Sequence, residues 1–106
     1  MKKIKILGQE IKVKVMNKKE MQLHTSGDDC GFFSCDKSLI GINECLNSFE
    51  RRRTLYHEIG HVIMSIVGLN QVTAMELQEI ICESFANGFL DFNKQTVKLD
   101  KESKTK

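Results

Sequence analysis

The sequence predicts an α+β domain in which a small antiparallel sheet of three to four strands precedes and packs on two helices. Two observations carry this prediction. Up to Asn43 the apolar residues fall on alternate positions, the period of a half-buried strand, whereas after Ser48 they recur three and four apart, the period of a helix. A third observation sets the limits. A chain of 106 residues, 41% hydrophobic and 28% charged, holds one core and a solvated surface. Residues 1–92 are assigned to the domain. Residues 93–106, polar and nearly free of large apolar groups, are expected to form a disordered charged tail.

Ile4, Ile6, Ile11, Val13 and Val15 alternate with lysines and read as a β-hairpin, with a short turn at Gly8-Gln9. Residues 18–23 suit one helical turn, and Ser26-Gly27-Asp28-Asp29 is a loop signal. Gly31-Phe32-Phe33 and Leu39-Ile40-Gly41-Ile42 read as two further strands joined near Asp36-Lys37, the second ending at Asn43. The first long helix starts after Asn47-Ser48, either of which suits an N-cap, and runs to Val67 with Gly68 as its stop. Leu55, Ile59, Val62, Ile63 and Ile66 give it an apolar stripe, and Met64 and Val67 make its second half apolar nearly all round, as in a buried helix. Thr73-Ala74-Met75-Glu76 has the capping-box pattern and opens a second helix, with Leu77, Ile81, Cys82, Phe85, Phe89 and Phe92 as its expected core face.

The formal charge of +2 is too small to imply nucleic acid by itself, and a solvated sheet face accounts for Lys2, Lys3, Lys5, Lys12 and Lys14 more simply. No apolar run reaches the length of a membrane span. The charged start lacks the apolar stretch of a signal peptide, so a cytoplasmic protein is expected. In that compartment Cys30, Cys35, Cys45 and Cys82 are expected as free, buried or half-buried thiols. His24, Cys30, Cys35 and Cys45 lack the Cys-x-x-Cys knuckle of a structural zinc site.

His57-Glu58-Ile59-Gly60-His61 is the strongest chemical signal. Residues four apart stand one turn above each other on a helix, so both imidazoles project from one side and can grip one Zn²⁺. Glu58 lies about 100° around the helix. There its carboxylate can take a proton from a water that zinc has made acidic. Three polar residues on an otherwise buried helix would be costly without such a partner. A catalytic zinc needs a third protein ligand and an open position. The second helix offers Glu76, Glu79 and Glu83, and spacing alone does not choose between the last two. Tyr56 and His24 are candidates for steadying an oxyanion, with packing the simpler role for Tyr56. Asn87, one turn from Glu83, suits a supporting hydrogen bond. Arg51-Arg52-Arg53 sits at the unfavourable end of the helix dipole, where it suits an acidic partner, sheet carboxylates or plain solvation.

The segment from Arg53 to His61 resembles the active-site helix of ImmA/IrrE-type zinc metallopeptidases. Glu83-Ser84-Phe85-Ala86-Asn87-Gly88-Phe89 is similar to that family's Glu-x-x-Ala-Asn-x-Phe segment, and Gly31-Phe32-Phe33 and Ile40-Gly41-Ile42-Asn43 to its two strands before the helix. The resemblance covers about residues 30–92. It implies a minimal zincin-like domain of the gluzincin kind, with His57, His61 and Glu83 as zinc ligands and Glu58 as general base. The implied activity is zinc-dependent endopeptidase cleavage of a protein or peptide substrate, and in several relatives the target is a transcriptional repressor of a mobile element. Substrate is expected to lie along the strand at 39–42 as an added edge strand. Leu90 stands where the family usually has alanine, and the Met-Pro continuation and a helix-turn-helix partner domain are missing. Such a compact copy suits a bacteriophage or another mobile element. The alternative reading keeps the zinc but makes the chain a catalytically silent binding protein that docks to a host or regulatory partner.

Overall fold

The structure, a computed structural model, describes residues 1–71 and 74–104, with Asn70 and residues 91–104 described as backbone only. Two hairpins build its sheet. Strands β1 (Lys2–Ile6) and β2 (Gln9–Met16) pair antiparallel, with Ile6 opposite Gln9. The two-residue turn is therefore Leu7-Gly8, one place earlier than expected, and both residues have positive φ, 49° and 83°. That is the backbone of a type I′ turn, whose twist matches the strands it joins. Glycine adopts it freely, whereas Leu7 does so against its Cβ.

Helix α1 (Lys18–Gln22) follows with a complete capping box, the Asn17 side chain accepting from the Glu20 amide and Glu20 from the Asn17 amide. Strands β3 (Gly31–Ser34) and β4 (Leu39–Asn43) form the second hairpin. The strand order is β1-β2-β4-β3, and β2 runs parallel to β4. The sheet is thus mixed rather than wholly antiparallel as expected. Each hairpin is antiparallel, but the crossover through α1 brings β4 back beside β2 in the same direction, with β3 outside it. For the same reason the strand at 39–42 is not an edge: β4 is paired on both sides, and β3 and β1 are the edges.

Helix α2 (Ser48–Ile66) begins at Asn47, whose side chain accepts from the Glu50 amide, and ends at Val67 before Gly68 with φ 80°. It lies on the sheet face that carries Ile11, Ile40 and Ile42, and Val62 completes that core; Leu55, Ile59, Ile66 and Phe33 pack around it. Removing these side chains from water is the main favourable term holding helix to sheet. After a short 3₁₀ turn at Leu69–Gln71, α3 (Met75–Lys104) packs along α2. Thr73, the expected cap, lies outside the described residues. The backbone of α3 continues past the expected boundary at 92/93, through a segment that contains neither Gly nor Pro.

The buried stripe of α3 differs from the expected one. Of the expected face, Cys82 is buried and Phe85 half-buried, but Leu77, Ile81 and Phe89 are exposed and the Phe92 side chain lies outside those described; Gln78, Ala86 and Leu90 are buried with Cys82 instead. The physical reason lies on α2. A Cβ placed on Gly60 would come 3.0 Å from the Cys82 sulfur and 3.4 Å from its Cα. The two helices approach so closely that only small side chains fit between them, and the large ones turn outward. No described helix is long and apolar enough to cross a membrane.

Candidate metal centre

Arg53, His57, His61 and Ser65 follow one another at four-residue intervals on α2, so they share one face, and all four line a cleft of about 620 Å³. Residues 29–33 and Cys35, on and beside β3, form one wall, and Glu79 and Glu83 of α3 the other. Glu79 reaches both imidazoles: its two carboxylate oxygens lie 3.0 Å from His57 Nε2 and 2.9 Å from His61 Nε2. One ligand atom from each of His57, His61 and Glu79 falls within 4.8 Å of the others. Glu83, the ligand implied by the family resemblance, stands one turn away. It meets Arg53 Nη2 at 2.7 Å through one oxygen and His57 Nδ1 at 3.4 Å through the other.

Glu58 is 7% exposed in the same cleft. Burial first, and then the negative charges of Glu79, Asp29 and Glu83, together push its carboxyl up to about 7. A carboxyl poised near neutrality suits both halves of a proton transfer. His61 is held below the usual imidazole range by its burial and by His57, while Glu79 pulls it the other way. A neutral ring is the form that binds metal.

These observations test whether a zinc ion suits the site. Four carboxylates, Asp29, Glu58, Glu79 and Glu83, face one cleft with a net acidic field, and two imidazoles offer ring nitrogens towards the same carboxylate. Two nitrogens and one oxygen are the donor set of a catalytic zinc site, and a divalent cation would offset the mutual repulsion of the acids. The residues fit.

Other candidates fall elsewhere. The His24 ring stacks on Phe32 at 4.5 Å, and Tyr56 packs on Phe89 at 5.3 Å, the packing role expected of it. Asn87 accepts a hydrogen bond from Arg53 Nε at 3.1 Å. Arg51 donates to the carbonyls of Leu46 and Glu44, holding the loop before α2, while Arg53 turns to α3. Cys30, Cys35 and Cys45 are free as expected but exposed rather than buried, because they sit at strand ends and in the loop after β4; only Cys82 is buried. Cys30 and Cys35 line the cleft, and Cys35 Sγ lies 3.4 Å from Ser65 Oγ. Sequence reasoning passed over Ser65, although its place one turn after His61 put it on the metal face.

No curated protein and no solved structure matches the chain. The family model described as the IrrE N-terminal-like domain, of the M78 peptidases, matches residues 3–100, and the chain belongs to that family.

Proposed function

We propose that the protein is a zinc-dependent endopeptidase acting on a protein or peptide, with a transcriptional regulator as the class of substrate. The observation that carries this reading is the convergence of His57, His61 and Glu79 within 4.8 Å, beside a buried Glu58 on the same helix. His57 and His61 would hold the ion from one face of α2, and Glu79 would be the third ligand. Glu83 is the second reading for that ligand, favoured by its motif and by its 3.4 Å approach to His57 Nδ1. When bound, zinc supplies a Lewis acid that polarises the scissile carbonyl and makes water acidic.

The chain's own residues do the rest. Glu58 takes the proton from the attacking water and passes it to the leaving amine, serving first as base and then as acid. The edge of β3 binds substrate in extended form, adding a strand whose scissile bond runs past the two histidines. Burial of Glu58 within the cleft excludes bulk water from the proton it carries.

Glu58→Gln tests the mechanism. It keeps the volume and leaves His57, His61 and Glu79 in place, so zinc content stays at the wild-type value while hydrolysis falls by a factor on the order of 10²–10⁴. Hydrolysis at the wild-type rate in a zinc-loaded Glu58→Gln protein excludes the proton-transfer role. Recovery of a co-expressed partner intact and bound to the wild-type protein points instead to a zinc-containing docking module.

A further inference from the structure

Four acids line the cleft, and they are not equally placed. Glu79 and Glu83 meet the histidines and Arg53, and Glu58 is buried on the metal helix. Asp29 is exposed, and among the described residues no cation stands within ion-pair distance of its carboxylate. Arg53 is the one lysine or arginine among the described residues that line the cleft. Its guanidinium is already divided between Glu83 Oε1 at 2.7 Å and Asn87 Oδ1 at 3.1 Å. The backbone of Asp29 is held in place. Its carbonyl accepts from Asn43 Nδ2 at 3.1 Å, the next carbonyl, of Cys30, accepts from the Asn43 amide at 2.8 Å, and Asn43 is buried. Two residues beyond Asp29, Gly31 brings β3 against α2. A Cβ there would stand 2.6 Å from Thr54 Cγ2 and 3.8 Å from Glu58 Cγ. Asp29 therefore stands at the end of the β3 edge that Glu58 serves, and its charge acts on the Glu58 carboxyl.

We propose that Asp29 is a specificity-determining residue that selects a lysine or arginine just C-terminal to the scissile bond, the residue whose amine leaves. The inference rests on the peptidase reading given above, whichever of Glu79 and Glu83 completes the metal site. Two arguments place that substrate residue beside Asp29. Glu58 hands its proton to the leaving amine, so the residue that bears the amine lies at the Glu58 end of the β3 edge. An added strand pairs antiparallel more often than parallel. An antiparallel peptide brings its C-terminal part to the N-terminal end of β3, where Asp29 stands. From a position opposite Gly31, a long side chain reaches a diagonal neighbour two places along. Its cation meets a carboxylate that no described cation of the protein has taken, and the acidity of the cleft adds to the attraction. An acidic side chain at that position meets Asp29 directly and is rejected.

The test uses the zinc-loaded full chain and peptide hydroxamates, whose hydroxamate holds the metal while the peptide part fills the C-terminal side of the cleft. Three such compounds differ only in the side chain next to the hydroxamate, which is that of lysine, norleucine or glutamate. Calorimetry reads their binding without hydrolysis, and zinc content and circular dichroism are checked for each protein. The expected result is that wild type binds the lysine compound more tightly than the norleucine one by a factor on the order of 5–10, and the glutamate one most weakly. Asp29→Asn removes the preference for lysine over norleucine at unchanged zinc content. Asp29→Lys reverses the order of lysine and glutamate, an exchange that a merely structural role for Asp29 does not produce. Equal binding of the lysine and norleucine compounds by wild type overturns the proposal. So does a lysine preference that persists in Asp29→Asn, which belongs to the general acidity of the cleft. A wild type that takes up no zinc, or that takes up zinc and binds none of the three compounds, removes the peptidase reading and this inference with it, which separates the two failures.

Discussion

Single side chains set the chemistry of this cleft and one cost of the fold. Glu58 owes its elevated pKa first to burial and then to three neighbouring acids, so its proton is held by the absence of water and by the negative charge nearby. A dication in the cleft would act against the second of these causes and ease ionisation, which is the state a base requires. Leu7 shows the opposite kind of cost. With φ 49° in a type I′ turn and two-thirds of its side chain exposed, it is strained and gains little burial in return. Asparagine tolerates that backbone far better. Leu7→Asn is expected to raise unfolding stability by about 1 kcal/mol with no effect on zinc binding, measured by urea denaturation. A fall in stability would show that Leu7 packs in a way its exposure conceals.

Among the elements, α2 was legible and the face of α3 was not, for a reason specific to helix packing. The α2 signals, Asn47 before the helix, a single apolar stripe and Gly68 after it, all agree with one another, and the structure follows them. On α3 two stripes share the same four-residue interval. Leu77, Ile81, Phe85 and Phe89 make the more hydrophobic one, and Gln78, Cys82, Ala86 and Leu90 the one that is buried. Hydrophobicity favours the first; close approach to Gly60 selects the second, and no reading of α3 alone contains that partner. The choice matters for the site, because burying the Cys82 stripe turns Glu79 and Glu83 towards the histidines. Gly60→Ala tests the contact. Alanine improves helix propensity by about 1 kcal/mol, but its methyl meets a fully buried sulfur that has nowhere to move, at an expected cost of about 1–3 kcal/mol. The variant should be less stable and hold zinc more weakly. Cys82→Ala in the same chain removes the sulfur and recovers part of the loss, so a double-mutant cycle gives a coupling. Strict additivity of the two changes would mean that the helices are free to move apart.

At the scale of the whole molecule the mixed topology decides where a substrate can lie. Reading the strands as successive hairpins located all four of them but not their order, since pairing between β2 and β4 depends on a crossover that sequence spacing leaves open. The order makes β3 the edge beside the cleft and encloses β4 between two neighbours. The hydrogen bond from the Asn43 amide to the Cys30 carbonyl fixes the alternation along the β3–β4 pair. Residues 30, 32 and 34 face β4, so the amides of Gly31 and Phe33 point outward. An extended peptide added to this edge must take its main-chain hydrogen bonds from those two residues, and it then runs beneath the histidine face of α2. Hydrogen exchange on the zinc-loaded protein, with and without a bound peptide hydroxamate, reads this directly. Slowed exchange at Gly31 and Phe33, with the amides of β4 and β1 unchanged, is the expected pattern. Protection on β1 instead would place the peptide on the far edge of the sheet, away from Glu58, and would separate peptide binding from the metal centre.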